Sequence, residues 1–457
     1  MFHLRTVSSG QPGRRARRGG TLALAALGAA VATAATACGT PGTSSTGSTV
    51  PTGVSTDIGT APVTLTLYDG AGLQSLDQAL VAGFRQTHPN VTINVRTDPD
   101  SVLSQNLPRV LASTEPPDIA RTVALADEVK DGLLTNLDAY AKAWGWDSLP
   151  AAQLNQYRVS QAGVRGSGAP YAMASGFTVS GVFYNKQLAA QIGMTTPPKT
   201  IDELSGLLAK AKAAGQQPIM VSNTTGNAVN AFQALLNDYL GPQAVNNWIY
   251  HEASATIDTP QAVTAADAFN QWVKAGYFPA DVNGVDSSTA LGRFIAGQGV
   301  FFVDGNWDTT KLDSQMAGKV GFFEFPPLQA GGPVTAMSDP ASSFGIPANS
   351  QHKNAAAAFL DWLRSPEARQ ITVDQGFAPS GTGSVPNVAP GSVNAEVQDA
   401  FAKLVADNGQ VQYVQNATNG IQSTAWAPQS QSLIAGRISP QQFVSAVQRE
   451  YAKELGR

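Results

Sequence analysis

The 457-residue chain carries one thiol, four imidazoles, and a set of carboxylates and indoles at the ends of apolar runs. Each of these groups admits only certain chemistry. Cys38 is the only cysteine, so no disulfide can form within the chain. His3, His88, His251 and His352 are scattered, and with one cysteine they give no metal-ligand spacing. No Gly-x-Ser-x-Gly elbow, zinc signature or phosphate-cradling loop occurs. Two carboxylates could still cut a glycosidic bond if they stood about 5–10 Å apart, a separation the sequence does not define. The residue types call for no cofactor or metal.

The setting of Cys38 gives it a role. Arg5, Arg14, Arg15, Arg17 and Arg18 make a basic start with no acid, and "GGTLALAALGAAVATAATA" follows as a short run of apolar and small residues. A membrane span needs about 20 strongly apolar residues, and this run is weaker. A basic region, an apolar region and small residues at the exit are the parts of a secretory signal over residues 1–37. Cys38 follows Ala35-Thr36-Ala37, as in a bacterial lipobox, with Ala35 where Leu is usual. Lipidation of Cys38 is the expectation; a plain signal peptide with a stray cysteine is the alternative, and the arginine pairs leave twin-arginine export open. Residues 38–61 are rich in Gly, Thr, Ser and Pro and read as a disordered tether. Beyond residue 37 the balance is 24 basic against 33 acidic side chains. That excludes nucleic acid as the main partner, and anionic lipid with it. The remaining residues suffice for two ordinary domains.

Candidate groups sit where strands end. "PVTLTLYDGAG" alternates Val63, Leu65 and Leu67 with Thr64 and Thr66 and then turns at Asp69-Gly70. "LQSLDQALVAGFRQTHPNV" has the helical period and stops at Pro89. "VTINVRT", "SVLSQNLPRVLAST" and "PPDIART" read as strand, helix and short strand. This β-α-β-α-β order predicts an α/β doubly wound sheet with ligands at the carboxyl ends of its strands. The grammar recurs in "GFTVSGVFYNKQLAAQIG" and in the helix capped by Thr200 with Glu203 at the capping-box position. It recurs again in the strand Val300–Val303 with its loop Asp304–Trp307, and in the strand, turn and helix of "SSFGIPANSQHKNAAAAFLDWLRSPEARQI".

"GVFYNKQLAAQIGM", "PPKTIDELSGLLAKAKAAGQQPI", "AGQGVFFVDGNW", "IPANSQHKNAAAAFLDWLRSPEARQI" and "GFAPSG" occur in this order. Together they resemble the extracellular solute-binding proteins of ABC transporters, in the branch that includes maltose-binding protein, over roughly residues 62–450. The resemblance implies a two-lobed periplasmic-binding-protein-like fold, each lobe a sheet flanked by helices, with a ligand cleft between them. It divides the chain into lobe 1, residues 62–175 plus 333–365, and lobe 2, residues 176–332 plus 366–457. It also implies a monomer that closes on a carbohydrate by a hinge motion and delivers it to permease subunits, anchored outside the cell membrane through lipidated Cys38.

A sugar needs aromatic plates for its ring faces and carboxylates or amides for its hydroxyls. Trp307, after its strand, is the leading candidate, with neighbours Asn306 and Asp304. Asp69 ends the first strand; Asp118 and Arg121 flank the third. Trp426 lies where maltose-binding protein places a stacking aromatic. Ser338 and Asp339 begin the return into the first lobe, and Asn227 and Asn230 precede a helix. Trp272 and Trp362 sit at helical spacing and read as core. Trp144 and Trp146 read as a surface turn. The alternatives are a same-fold binding protein for a polyamine, peptide or metal chelate, a secreted glycoside hydrolase, and a structural surface protein.

Overall fold

The computed structural model describes residues 50–382, 387–418 and 420–457. The export segment, Cys38 and the first part of the tether lie outside those residues.

The alternation of Leu65 and Leu67 with threonines builds the first strand, Val63–Gly70, in which Leu65, Leu67 and Tyr68 are buried. The next strand, Val91–Asp98, lies parallel on one side of it, and Ile119–Arg121 lies parallel on the other. Ser343–Gly345 and then Ala172–Ala174 complete a five-stranded sheet in antiparallel sense. Because the chain leaves the first strand to one side and then to the other, the carboxyl end of Val63–Gly70 is a topological switch point. Helix Gln74–Thr87 covers the sheet with Leu76, Leu80 and Phe84.

The second sheet runs Val320–Phe323, Ser180–Asn185, Phe301–Gly305, Ile219–Met220. It is covered on both faces: Phe183, Phe302 and Phe322 point to one apolar cluster, Val182, Phe301, Val303 and Phe323 to the other. The helix over Ile201–Ala213 starts as expected, with Thr200 Oγ1 accepting the Glu203 N–H at 3.1 Å. The Glu203 carboxylate reaches one residue further back, to the Lys199 N–H at 2.7 Å.

Between the sheets, three crossing segments are hydrogen-bonded to one another. Gly176–Phe177 pairs antiparallel with Ala378–Pro379, and Ala341 N–H donates to Gly176 O at 2.8 Å. The lobe borders differ from the sequence reading at two places. Ala336–Met337 pairs with Gln410–Val411 and packs on helix Val229–Leu240, so residues 333–337 stay with lobe 2 and the return crossing lies at 338–341. Helix Pro366–Asp374 packs on helix Gln74–Thr87, so the last crossing follows it. The reason is local: Gly83 leaves a notch filled by Trp362 and Ile371, and Ser365-Pro366 only restarts the helix with a Ser365 cap.

The tether reading also changes. Residues 50–61 lie on lobe 1: Val54 and Ile58 pack against its core, the Ser55 N–H bonds Asn354 Oδ1 at 3.3 Å, and Asn90 bonds the Gly59 and Ala61 carbonyls. Val54 and Ile58 are the side chains of this run that seat it on the core.

A methyl group on Gly176 would be driven into the Ala378 carbonyl oxygen and the Thr372 methyl. Gly176→Ala is therefore expected to destabilise the protein by about 1–3 kcal/mol in denaturant unfolding. Gly206→Ala, in the open middle of helix Ile201–Ala213, should instead stabilise it by about 0.5–1 kcal/mol. Equal effects at the two glycines would contradict the crossing geometry.

Candidate functional site

The switch point of the first sheet holds a charged cluster. Asp69 ends the first strand and is fully buried. Its Oδ1 accepts from its neighbour Gly70 N–H and from Arg121 Nη1 at 3.2 Å, and its Oδ2 accepts from Ser342 Oγ at 3.3 Å. Asp77, one turn into the following helix, is fully buried too. Its oxygens find no donor apart from the Asp69 carboxyl beside them. Two carboxylates cannot both be ionised in contact, so one proton is shared between them. Burial first, and then the Asp69 charge, push Asp77 up to about 9. Burial raises Asp69 as well, against the pull of Arg121. Asp69 seats the Arg121 guanidinium at the edge of the cleft.

Arg121 lines a cavity of about 200 Å³ between the lobes, together with Thr122, Gln156, Arg165, Asp339 and Gln412. A second cavity of about 170 Å³ adjoins it through Arg165 and Asn416 and is lined also by His251 and Gln422. The cavity therefore collects side chains from the first lobe, the return crossing and the last segment of lobe 2.

Asp339 is the link. Its carboxylate accepts from Tyr413 N–H at 3.3 Å and from the Asn416 amide. Burial raises it to about 6, opposed by Arg165. The Tyr413 hydroxyl meets Ser180 Oγ at 2.7 Å, beside Asp304 in the neighbouring strand. Burial, and then Asp308, hold Asp304 well above the usual carboxylate range, with the nearby Trp307 side chain pulling the other way. Trp307 is 37% exposed, alone among the tryptophans described as large exposed apolar side chains.

The structure thus brings together Asp69, Arg121 and Asp339, with Asp304 and Trp307 one step away through Tyr413 and Ser180. Other expected residues have different tasks. Ser338 lies beneath the cavity, its carbonyl accepting from Gln156 at 2.9 Å and its hydroxyl from Gln410 at 2.9 Å. Asn306 is a fully buried staple, accepting from Val179 N–H and donating to Phe177 O. Asp118 sits at the opposite end of its strand from Arg121, accepting from Thr66 N–H at 3.0 Å and Ser350 Oγ at 2.9 Å. Asn227 bonds Ser222 and Ser287, and Asn230 is buried in helix Val229–Leu240. Trp426 is a core residue: it is fully buried against Phe232, Trp248 and Phe443 and donates to Val414 O at 3.0 Å, so it presents no face to a ligand. Trp146 is likewise buried, donating to Asp361 at 2.9 Å.

Sequence reasoning missed Asp77, Gln156, Arg165, Gln412 and Tyr413. Only Asp77 left a signal, a carboxylate on the same helical face as Leu80 and Phe84.

Among the described residues, no helix is long and apolar enough to cross a membrane. The family of bacterial extracellular solute-binding proteins matches residues 70–370, and the chain belongs to it. A multiple sugar-binding protein of Streptococcus mutans serotype c is 22% identical over 312 residues, 66% of this chain and 70% of that protein. A chitin oligosaccharide binding protein superposes with a TM-score of 0.70 at 21% identity, over 87% of this chain and all of that one. A maltose-bound protein of T. maritima gives 0.67 at 18% identity, over 86% of this chain and 99% of that one. At these identities the solved structures establish the two-lobed fold.

The shared proton has a thermodynamic consequence. Asp77 stands at about 9 in the folded protein against 3.8 as a free side chain, so the folded state binds more protons between those values. The stability tied to that proton is full below about pH 4 and is lost as pH rises through about 9. Asp77→Asn should flatten the fall in unfolding free energy over this range, which for one proton is at most about 1.4 kcal/mol per pH unit. Unfolding curves of both proteins from pH 5 to pH 9 that run parallel would refute the shared proton.

Proposed function

We propose that this chain is the sugar-binding component of an ABC importer, exported and held outside the cell membrane by lipidated Cys38. It would capture a mono- or oligosaccharide between its lobes and pass it to permease subunits, without turning it over. The observation that carries this reading is Trp307. An indole that follows the strand Phe301–Gly305, with over a third of its surface open, is a plate for a sugar ring. The sugar-binding relative, the chitin oligosaccharide binding protein and the maltose-bound protein of the same fold support the same class of ligand.

The test is a thermal-shift screen of the chain lacking residues 1–37 against mono- and oligosaccharides, polyamines and peptides. A ligand at about 100 times its dissociation constant adds about 2.7 kcal/mol of stability. A carbohydrate is expected to give the shift and to be recovered uncleaved. Trp307→Ala should abolish the shift and leave the unliganded melting point in place. Trp426→Ala should do the converse, lowering the unliganded stability by about 3–5 kcal/mol. A shift with polyamine or peptide and none with any carbohydrate would discard the sugar reading and keep the fold. For the anchor, Cys38→Ser should move the protein from the membrane fraction to the soluble one.

A further inference from the structure

The first cavity has an unusual inventory for a sugar site. None of its lining side chains is aromatic, and two of them are arginines. Most of its polar groups have already satisfied one another. Gln156 donates to Ser338 O and accepts from Gln412, and the Thr122 hydroxyl donates to Ser343. Asp339 has an N–H on each oxygen. Arg121 is seated by Asp69.

Gln412 Oε1 is buried without a donor, and Arg165 is the other exception. It forms no ion pair among the described residues. Its Nε is buried without a hydrogen-bond partner. Its guanidinium carbon stands 5.5 Å from the centre of the Tyr250 ring, and its own N–H donates to Tyr250 O at 3.1 Å. The hairpin that carries it turns on Gly163, Gly166 and Gly168, all at positive φ. A side chain on Gly166 would strike the Tyr250 ring, so glycine is what lets the hairpin lean on lobe 2. A guanidinium stacked on a ring keeps its in-plane N–H groups for a planar acceptor. Two arginines against Gln412 Oε1 as the buried lining acceptor without a donor leave donors in excess, which fits a ligand that brings acceptors of its own.

We propose that the cleft selects a carbohydrate bearing an oxyanion, a uronate carboxylate or a phosphate ester, which Arg165 and Arg121 bind while Trp307 takes a sugar ring. The inference rests on the sugar-binding reading and narrows it. Asp339 is the one lining carboxylate, and its two N–H donors draw its charge away from the incoming anion.

Calorimetric titration of the chain lacking residues 1–37 decides it. The probes are glucuronate and galacturonate oligosaccharides, sugar phosphates, and the matching neutral sugars. The acidic class should bind at least about 10-fold tighter than its neutral counterpart, as a charge-assisted hydrogen bond allows. Arg165→Gln should remove about 10- to 100-fold of that affinity and weaken neutral sugars far less, so that the ratio of acidic to neutral affinity collapses. Arg165→Lys should recover only part of it, since an ammonium lacks the fork. Preference for the phosphate over the uronate, or the reverse, identifies the source of the oxyanion. Neutral sugars binding as tightly as acidic ones to the unaltered protein would overturn the inference and spare the sugar reading. That outcome needs no variant, so a misfolded Arg165→Gln cannot obscure it. Binding of polyamine or peptide with no carbohydrate bound would instead overturn the reading beneath it.

Discussion

Asp339 bolts the two lobes together, and the cleft depends on it. Its carbonyl accepts from the Thr178 N–H at 2.7 Å and the Thr178 hydroxyl at 3.1 Å, and its own N–H donates to that hydroxyl at 3.2 Å. The outgoing and returning crossings are thus joined at one residue whose carboxylate also holds Tyr413 and Asn416. Crossing segments have few strand neighbours, and their backbone groups are still removed from water, so each must find a partner nearby. The amides answer that need: Gln156 reaches Ser338, Gln412 reaches Gln156, and Gln233 reaches the Gln412 carbonyl at 2.6 Å. A polar network of this kind is strong when complete and costly when broken, which fixes the floor of the cleft.

The scaffold was legible where local rules govern. Alternation marked the first strand, the Thr200 cap marked its helix, and helical spacing placed Trp272 and Trp362 in the core. The borders of the lobes were not legible, because they depend on what packs against what. Ser365-Pro366 has the sequence form of a helix start, yet the chain does not leave the lobe there, since Gly83 offers a notch to Ile371 on the far side of the break. Residues 50–61 have the composition of a tether, yet Val54 and Ile58 lay them on the surface.

The tryptophans show the same limit inside the site. Trp307 and Trp426 both sit beside loops, and sequence alone makes both of them candidates, with Trp307 ahead. The structure separates them by their surroundings: Trp426 stands among Phe232, Trp248 and Phe443 from three helices distant in the chain, while Trp307 has Asp304 on one side and solvent on the other. Asp118 stands just before the short strand Ile119–Arg121 and Arg121 ends it, so they lie at its opposite ends; only Arg121 reaches the crevice. Arg165 lay beyond any local rule, because its place comes from a glycine hairpin meeting Tyr250 across the lobes.

The distribution of these groups also bears on closure. Arg121 and Arg165 belong to the first lobe, and Trp307 to the second. A ligand can bias a hinge only through contacts that differ between its open and closed positions. A ring on Trp307 alone, or an oxyanion on the arginines alone, would bind one lobe and leave the equilibrium where it was. A ligand that reaches both makes its full set of contacts only when the lobes approach, so the whole of the second set of contacts drives closure. The shared proton of Asp69 and Asp77 serves this division. A proton kept on Asp77 means that the pair holds Arg121 in place without the full charge of two carboxylates to oppose an acceptor arriving from the other side of the cleft.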